Sequence, residues 1–392
     1  MTTFRTPHRI RLGGGVRREI GDAVTELGLR RPLIVTDGFH ASNGVADELA
    51  SILAGAGLAV AVFSETVPDP TVASVDAGVD AALKHAADAV IGLGGGSPLD
   101  TAKAIALLSV RGGTMRDYRA PAVTTGDALP IIAVPTTAGS GSEATQFTII
   151  TDAENSEKML CVGPVFLPRV AVVDFELSLT MPARLTADTG VDALTHAIEA
   201  YVSRRANPLS DVFALRAMAL VGANLVAAYR DGSDREAREN MMLASLLAGI
   251  AFSNSSVALV HGMSRPIGAQ FGIAHGLSNA VLFAEVTRYS LAGALPRYAD
   301  CARALGVAAD DVPDEGAAAA LVDAIEQLAA VLAVPALRDL GVDEEAWRRA
   351  IPDMAEQALA SGSPANNPVV PEAADIRGIY ERVYAAGAGR RS

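Results

Sequence analysis

The chain has 392 residues, 50% of them hydrophobic and 20% charged, with a formal net charge of −13. At that length a single hydrophobic core has stopped growing, so two domains are expected. The acidic balance excludes a nucleic-acid partner, whose phosphates need a basic surface, but leaves room for a local basic pocket that takes a small anion.

In chain order, the N-terminus carries no apolar signal core. Pro32–Asp37 reads as a buried strand ending in an acid, and residues 57–63, 89–93, 129–134 and 169–174 read as further strands. Helical stretches at 45–55, 72–87 and 99–108 lie between them. This alternation predicts parallel strands covered by helices, an α/β layout. A break at Pro182 marks the domain boundary, giving residues 1–183 and 184–392. Beyond it, Ala/Leu-rich segments at 186–202, 208–229, 234–252, 255–271 and 276–290 predict an all-helical second domain. No uncharged apolar run reaches the length of a membrane span without Gly or Ser interruption, so no membrane partner is expected. The two cysteines, Cys161 and Cys301, have no paired spacing, which points to a reducing compartment and a cytoplasmic protein.

Two glycine-rich loops follow strands. In Gly94-Gly-Gly-Ser-Pro-Leu-Asp100, Ser97 is placed to cap a helix, Pro98 fits its first position, and Asp100 sits where a capping-box acid would. Free N–H groups at a helix start, reached across glycines, suit a pyrophosphate. The pattern falls one residue short of GxGxxG, and no acid follows at the expected distance; Asp37 is the strand-end acid available for ribose hydroxyls. The competing reading is a plain tight turn. The second loop, Pro135-Thr-Thr-Ala-Gly-Ser-Gly-Ser-Glu143, offers hydroxyls and backbone donors to phosphate or ribose, and alone reads equally as a Ser/Thr-rich turn.

The second half holds Asp192, His196, His261 and His275, and with them three of the six histidines. Asp192 and His196 are four apart on a helix and so share one face. His261 and His275 are each followed by glycine. A lone buried histidine is usually a core residue, and one DxxxH arises by chance; the combination points to a metal site. One carboxylate with three imidazoles suits Fe2+ or Zn2+ better than Mg2+ or Ca2+, which prefer oxygen. Glu199, one turn past His196, reads as a solvated or supporting carboxylate and not a ligand. A metal and a dinucleotide together suggest that the metal lowers the pKa of an alcohol while the nicotinamide takes its hydride.

These blocks, with Thr189-Gly-Val-Asp-Ala-Leu-Thr-His-Ala-Ile-Glu-Ala-Tyr201 and His275-Gly-Leu-Ser-Asn279, resemble the iron-containing (group III) alcohol dehydrogenase family over nearly the whole chain. The resemblance implies a Rossmann-like parallel-sheet dinucleotide-binding domain and an all-helical metal-binding and substrate domain, as in the dehydroquinate synthase-like superfamily, with the active site between them. It implies metal ligation by Asp192, His196, His261 and His275. It implies NAD(P) contacts at Asp37, Gly95, Gly96, Ser97, Thr136, Thr137 and Ser140, with Asp100 in the same turn and Lys158 near the nicotinamide. Lys158 reads equally as an exposed loop lysine. Asp37 favours NAD over NADP, because a 2′-phosphate would meet its charge. At least a homodimer is implied.

Two positions depart from the family pattern. Arg265 stands where many members carry a second histidine, four residues after His261. It is expected either to contact a substrate with an anionic group or to form a structural ion pair. The segment Ser361-Gly-Ser-Pro-Ala-Asn-Asn-Pro-Val369 lacks an arginine common after Asn-Pro. The expected activity is hydride transfer between an alcohol or aldehyde and NAD. The alternative is a dehydroquinate-synthase-like or glycerol-dehydrogenase-like enzyme acting on a polyol or anionic substrate.

Overall fold

The computed structural model describes residues 3–386 apart from Ser156. The chain divides into two compact units, one of Arg5–Thr180 and the other running on from Met181.

The first unit is built on β1 (Arg9–Leu12), α1 (Ile20–Thr25), β2 (Pro32–Asp37), α2 (Gly38–Ser42), α3 (Val45–Gly55) and β3 (Ala61–Thr66). It continues with α4 (Val72–His85), β4 (Ala89–Gly94), α5 (Gly96–Arg111), β5 (Ile131–Pro135), β6 (Phe147–Asp152), β7 (Glu157–Val162) and β8 (Val170–Val173). Six strands form a sheet in the order β1-β8-β5-β4-β2-β3, every pair parallel. The continuous apolar runs in β2, β4, β5 and β8 follow from this, because a parallel strand covered on both faces has no polar side. Alternate residues divide between two cores. Leu33, Val35 and Val90 pack with Val75 and Ala82 of α4 and Ile105 of α5. Ile34, Ile91 and Val134 pack with Ala23 of α1 and Leu49 and Leu53 of α3.

The strand expected at 57–63 begins later, at Ala61, because Gly57 takes a left-handed φ of 79° to end α3. Three strands had no signal in the sequence. Edge strand β1 reads Arg-Ile-Arg-Leu and is half charged, and β6 and β7 form a separate antiparallel hairpin of mixed polarity.

The second unit comprises α6 (Ala183–Val202), α7 (Pro208–Arg230), α8 (Arg235–Ser255), α9 (Leu259–Phe271), α10 (His275–Ser290), α11 (Leu295–Leu305), α12 (Asp314–Val331), α13 (Glu344–Ala360) and α14 (Ala373–Ala386). Its described residues form no strand. The helix expected to start at 255 is interrupted: Ser256 has φ 108°, and α9 leaves α8 at 105°. Among the described residues α7 is long and apolar enough to cross a membrane, and in this unit it packs on α6, α8 and α11.

Candidate functional site

In the first unit the two glycine-rich loops follow neighbouring parallel strands, β4 and β5. Asp37 ends β2, on the other side of β4. The chain builds β3 outward from β2 and then crosses back to β4, so these three strand ends lie where the winding reverses, the usual place for a nucleotide. Helix α5 starts earlier than expected. Its N-cap is Gly95 with no side-chain cap, which puts Ser97 and Pro98 inside the first turn. The first N–H groups are thereby left without a side-chain acceptor, as an anion site needs.

Asp100 does not close a capping box. Its carboxylate accepts hydrogen bonds from Ser142 Oγ at 2.7 Å and Ile149 N at 2.9 Å, which ties α5 to the second loop. Lys103 reinforces that tie from a fully buried position, donating to Ser142 Oγ, Thr145 Oγ1 and Phe147 O at 2.8–3.0 Å. Burial pushes the Lys103 amine down to about 8, against the pull of Asp100 and Glu143.

The loops touch through their smallest residues. A Cβ on Gly96 would lie 3.2 Å from Ser140 Cβ, and one on Gly95 would lie 3.3 Å from Thr137. Gly94 has φ 143° and would meet Pro98 at 2.6 Å, so only glycine fits there. Thr136 is buried, and its N–H bonds to Gly94 O at 3.0 Å. Asp37 accepts from the backbone N–H of His40 at 2.9 Å and contacts its Nδ1 at 2.8 Å. Burial opposes its ionisation, but these bonds hold the carboxyl below its usual range. Lys158 lies in β7, not in an exposed loop, and its Nζ pairs with Asp69 at 2.6 Å.

The second unit brings Asp192, His196, His261 and His275 together, with one potential ligand atom from each lying within 4.8 Å of the others. Two of them sit one turn apart on α6, one lies in the first turn of α9, and His275 opens α10. Asp192 Oδ1 is 3.8 Å from His196 Nδ1, 3.4 Å from His261 Nε2 and 3.6 Å from His275 Nε2. Such spacings fit donors gathered about 2.0–2.2 Å from one ion.

Burial opposes the charge on Asp192, yet the three imidazoles hold its carboxyl well below the usual range. Burial pushes His196 down to about 3 despite Asp192, which keeps it neutral. Its ring stacks on Phe252 at 4.1 Å, a dry wall. The His275 side chain is 36% exposed, while the other three residues of the set are buried.

Glu199 is buried and not solvated. It accepts from Val260 N at 2.6 Å, and its other oxygen lies 2.6 Å from His261 Nδ1. A carboxylate on Nδ1 fixes the tautomer and leaves Nε2 as the lone-pair side.

The glycines that follow His261 and His275 have a packing cause. A Cβ on Gly262 would meet Pro364 Cγ at 2.7 Å, and one on Gly276 would meet the Asp188 carbonyl oxygen of α6 at 2.4 Å. Both helices are thus drawn close at the turn that presents the ligand.

Arg265, one turn past His261, forms no ion pair among the described residues. Its guanidinium donates to Ser363 Oγ at 3.0 Å, and its buried Nε has no partner. Burial lowers its pKa to about 10, against the pull of Glu199. Ser363 belongs to the segment that departs from the family pattern, and the residues after it, Pro364–Asn366, form a 3-10 turn beside α9. Asn366 Nδ2 holds it to Val257 O at 3.2 Å, and Asn367 Nδ2 reaches Ser290 Oγ at 2.9 Å. Sequence reasoning did not foresee Ser363 or Asn279. Asn279 lies one helical turn after His275 and closes the family-like block that begins there, the two signals it carried.

A reversed parallel α/β sheet with two phosphate-type loops, and a buried carboxylate with three imidazoles, define a dinucleotide- and metal-dependent oxidoreductase. The comparisons agree. Residues 7–175 match the model for iron-containing alcohol dehydrogenase, and residues 186–384 match that for the Fe-containing alcohol dehydrogenase family, C-terminal. The chain belongs to the iron-containing alcohol dehydrogenase family and transfers a hydride between an alcohol and NAD, or reduces the carbonyl in reverse.

It is 38% identical to the NAD-dependent methanol dehydrogenase of Bacillus methanolicus over 382 residues, 97% of this chain and 99% of that one. Among solved structures it resembles a 1,3-propanediol oxidoreductase, with TM-score 0.94, 36% identity, and 98% and 100% of the two chains covered. It also resembles the sulfoacetaldehyde reductase of Bifidobacterium kashiwanohense, with TM-score 0.86, 31% identity, and 98% and 99% covered.

The close approach at Gly276 gives a first test. Gly276→Ala forces α10 off the α6 backbone and is expected to cost about 1–3 kcal/mol. Urea denaturation of the metal-free protein should show a lower midpoint with an unchanged slope.

Proposed function

We propose that this chain is an NAD-linked, Fe2+-dependent alcohol dehydrogenase or aldehyde reductase whose preferred substrates carry an anionic group. The cation is held by Asp192, His196, His261 and His275, where it supplies a Lewis acid for the substrate oxygen. Zn2+ is also compatible with this donor set. His275 borders the exposed side and leaves that side to the substrate.

The observation that carries the substrate class is the unpaired guanidinium of Arg265. A buried cation with no carboxylate partner is costly unless an anion completes it. Charge around the loaded site supports this. Ligating imidazoles are neutral, so a divalent ion with Arg265 exceeds Asp192 and Glu199 by one positive charge, which a singly charged anionic substrate balances. The relative from Bifidobacterium kashiwanohense reduces an aldehyde that bears a sulfonate, so such substrates occur in the family.

In the first unit Asp37, Gly95, Gly96, Ser97, Thr136, Thr137 and Ser140 bind the dinucleotide. The N-terminus of α5 meets the pyrophosphate and Asp37 meets the adenosine ribose, which disfavours NADP. Asp100 acts through Ser142 and holds the second loop in place. Lys158 contributes from β7 while paired to Asp69. The protein works in the cytoplasm as a homodimer or a larger homo-oligomer. The family match weighs against the lyase alternative, whose phosphorylated, carboxylated substrate would need more basic residues than this site holds.

Stripping the protein with chelator should abolish NADH formation, and anaerobic Fe2+ should restore it more fully than Zn2+; equal activity without metal would refute the metal reading. Arg265→His should lower kcat/KM for a carboxylated or sulfonated aldehyde by about 10- to 100-fold relative to a neutral aldehyde of similar size. An unchanged ratio would exclude the anionic substrate class. Asp37→Ser should raise kcat/KM with NADP relative to NAD, and an unmoved ratio would remove Asp37 from the ribose site.

A further inference from the structure

Asn279 is fully buried on α10, one turn past His275. Its Nδ2 lies 2.7 Å from Asp192 Oδ1, 3.2 Å from His261 Nε2 and 3.3 Å from His275 Nε2. One amino group therefore faces three of the four donor atoms. Its carbonyl Oδ1 is also buried and has no hydrogen-bond partner. Buried amide oxygens are almost always satisfied, so an orphan marks a side chain held for another purpose. Turning the amide over would press Oδ1 against the Asp192 carboxylate oxygen, which cannot donate, so the amino group faces it. Glu199 engages His261 at Nδ1, so the Nε2 that meets Asn279 is the lone-pair side.

We propose that Asn279 is a positioning residue of the metal centre. Its amino group holds the Asp192 carboxylate and caps the buried face formed by Asp192, His261 and His275. Three electron-rich atoms packed together repel one another, and a neutral donor placed over them keeps them converged before a cation arrives. The hydrogen bond also restricts Asp192 Oδ1 to one direction, as carboxylate ligands generally require. Asn279 is itself fully buried, so the face it caps is closed to solvent.

This inference rests on the metal reading of the four residues, and the test separates the two. Full-length protein is stripped of metal, and its Zn2+ dissociation constant is measured by competition with a chromophoric chelator for wild type, Asp192→Ala, Asn279→Ala and Asn279→Ser. Co2+-loaded samples give visible absorption bands that report coordination geometry, and melting of the metal-free proteins reports the fold.

The Asn279 variants are expected to bind Zn2+ about 10- to 100-fold more weakly and to shift the Co2+ bands, while their metal-free melting stays close to wild type. Zn2+ affinity unchanged within about twofold, with superimposable Co2+ bands, would overturn the proposal. So would a loss of affinity matched in both variants by collapse of metal-free melting, since that describes a packing residue alone. If wild type fails to bind Zn2+, or Asp192→Ala binds it as tightly, the metal reading itself falls.

Discussion

A carboxylate buried as deeply as Asp192 has to be compensated, and the helical unit is arranged around that requirement. Removing a charge from water costs several kcal/mol unless partners replace the lost hydration. Here the partners are three imidazoles, each delivered by a different turn of helix, together with the amide of Asn279. The helices can deliver them only by approaching closely, which is why glycine follows His261 and His275. Gly262 leaves room for Pro364, and Gly276 leaves room for the α6 backbone. Charge compensation and close packing therefore impose the same constraint. A side chain at either glycine would separate the groups that make burial of the carboxylate tolerable.

Glu199 adds a second buried carboxylate, and with it the set becomes directional. By engaging His261 at Nδ1 it fixes which nitrogen turns toward Asp192. Arg265 lies on the same helix as His261 and has only a neutral hydroxyl as partner. The result is an unbalanced group of charges, and unbalanced buried charge is typical of sites that bind charged ligands.

In the α/β unit the corresponding constraint is contact between two loops. Asp100 and Lys103, both on α5, anchor Ser142 and its neighbours, so that Thr137 and Ser140 rest against Gly95 and Gly96. The glycines that suit a phosphate are also the ones the second loop needs. This explains why the capping box expected at Ser97 and Asp100 does not form. Asp100 is drawn away to Ser142 and Ile149, and the helix is capped two residues earlier, on Gly95.

Much of this was legible in the chain. Buried parallel strands appear as unbroken apolar runs, and amphipathic or buried helices as long Ala/Leu segments, because each period is local. The i, i+4 spacing of Asp192 and His196 is also local, and it placed both on one face. What the sequence by itself determined was therefore the fold class, the chemistry of the donor set and the two glycine loops. The tertiary structure decided which groups meet across long separations. It paired Glu199 with His261, set Asn279 over Asp192, and left Arg265 against Ser363 without a carboxylate. Those contacts join residues up to 98 positions apart. They depend on how helices and loops pack, and no short-range period in the sequence records that.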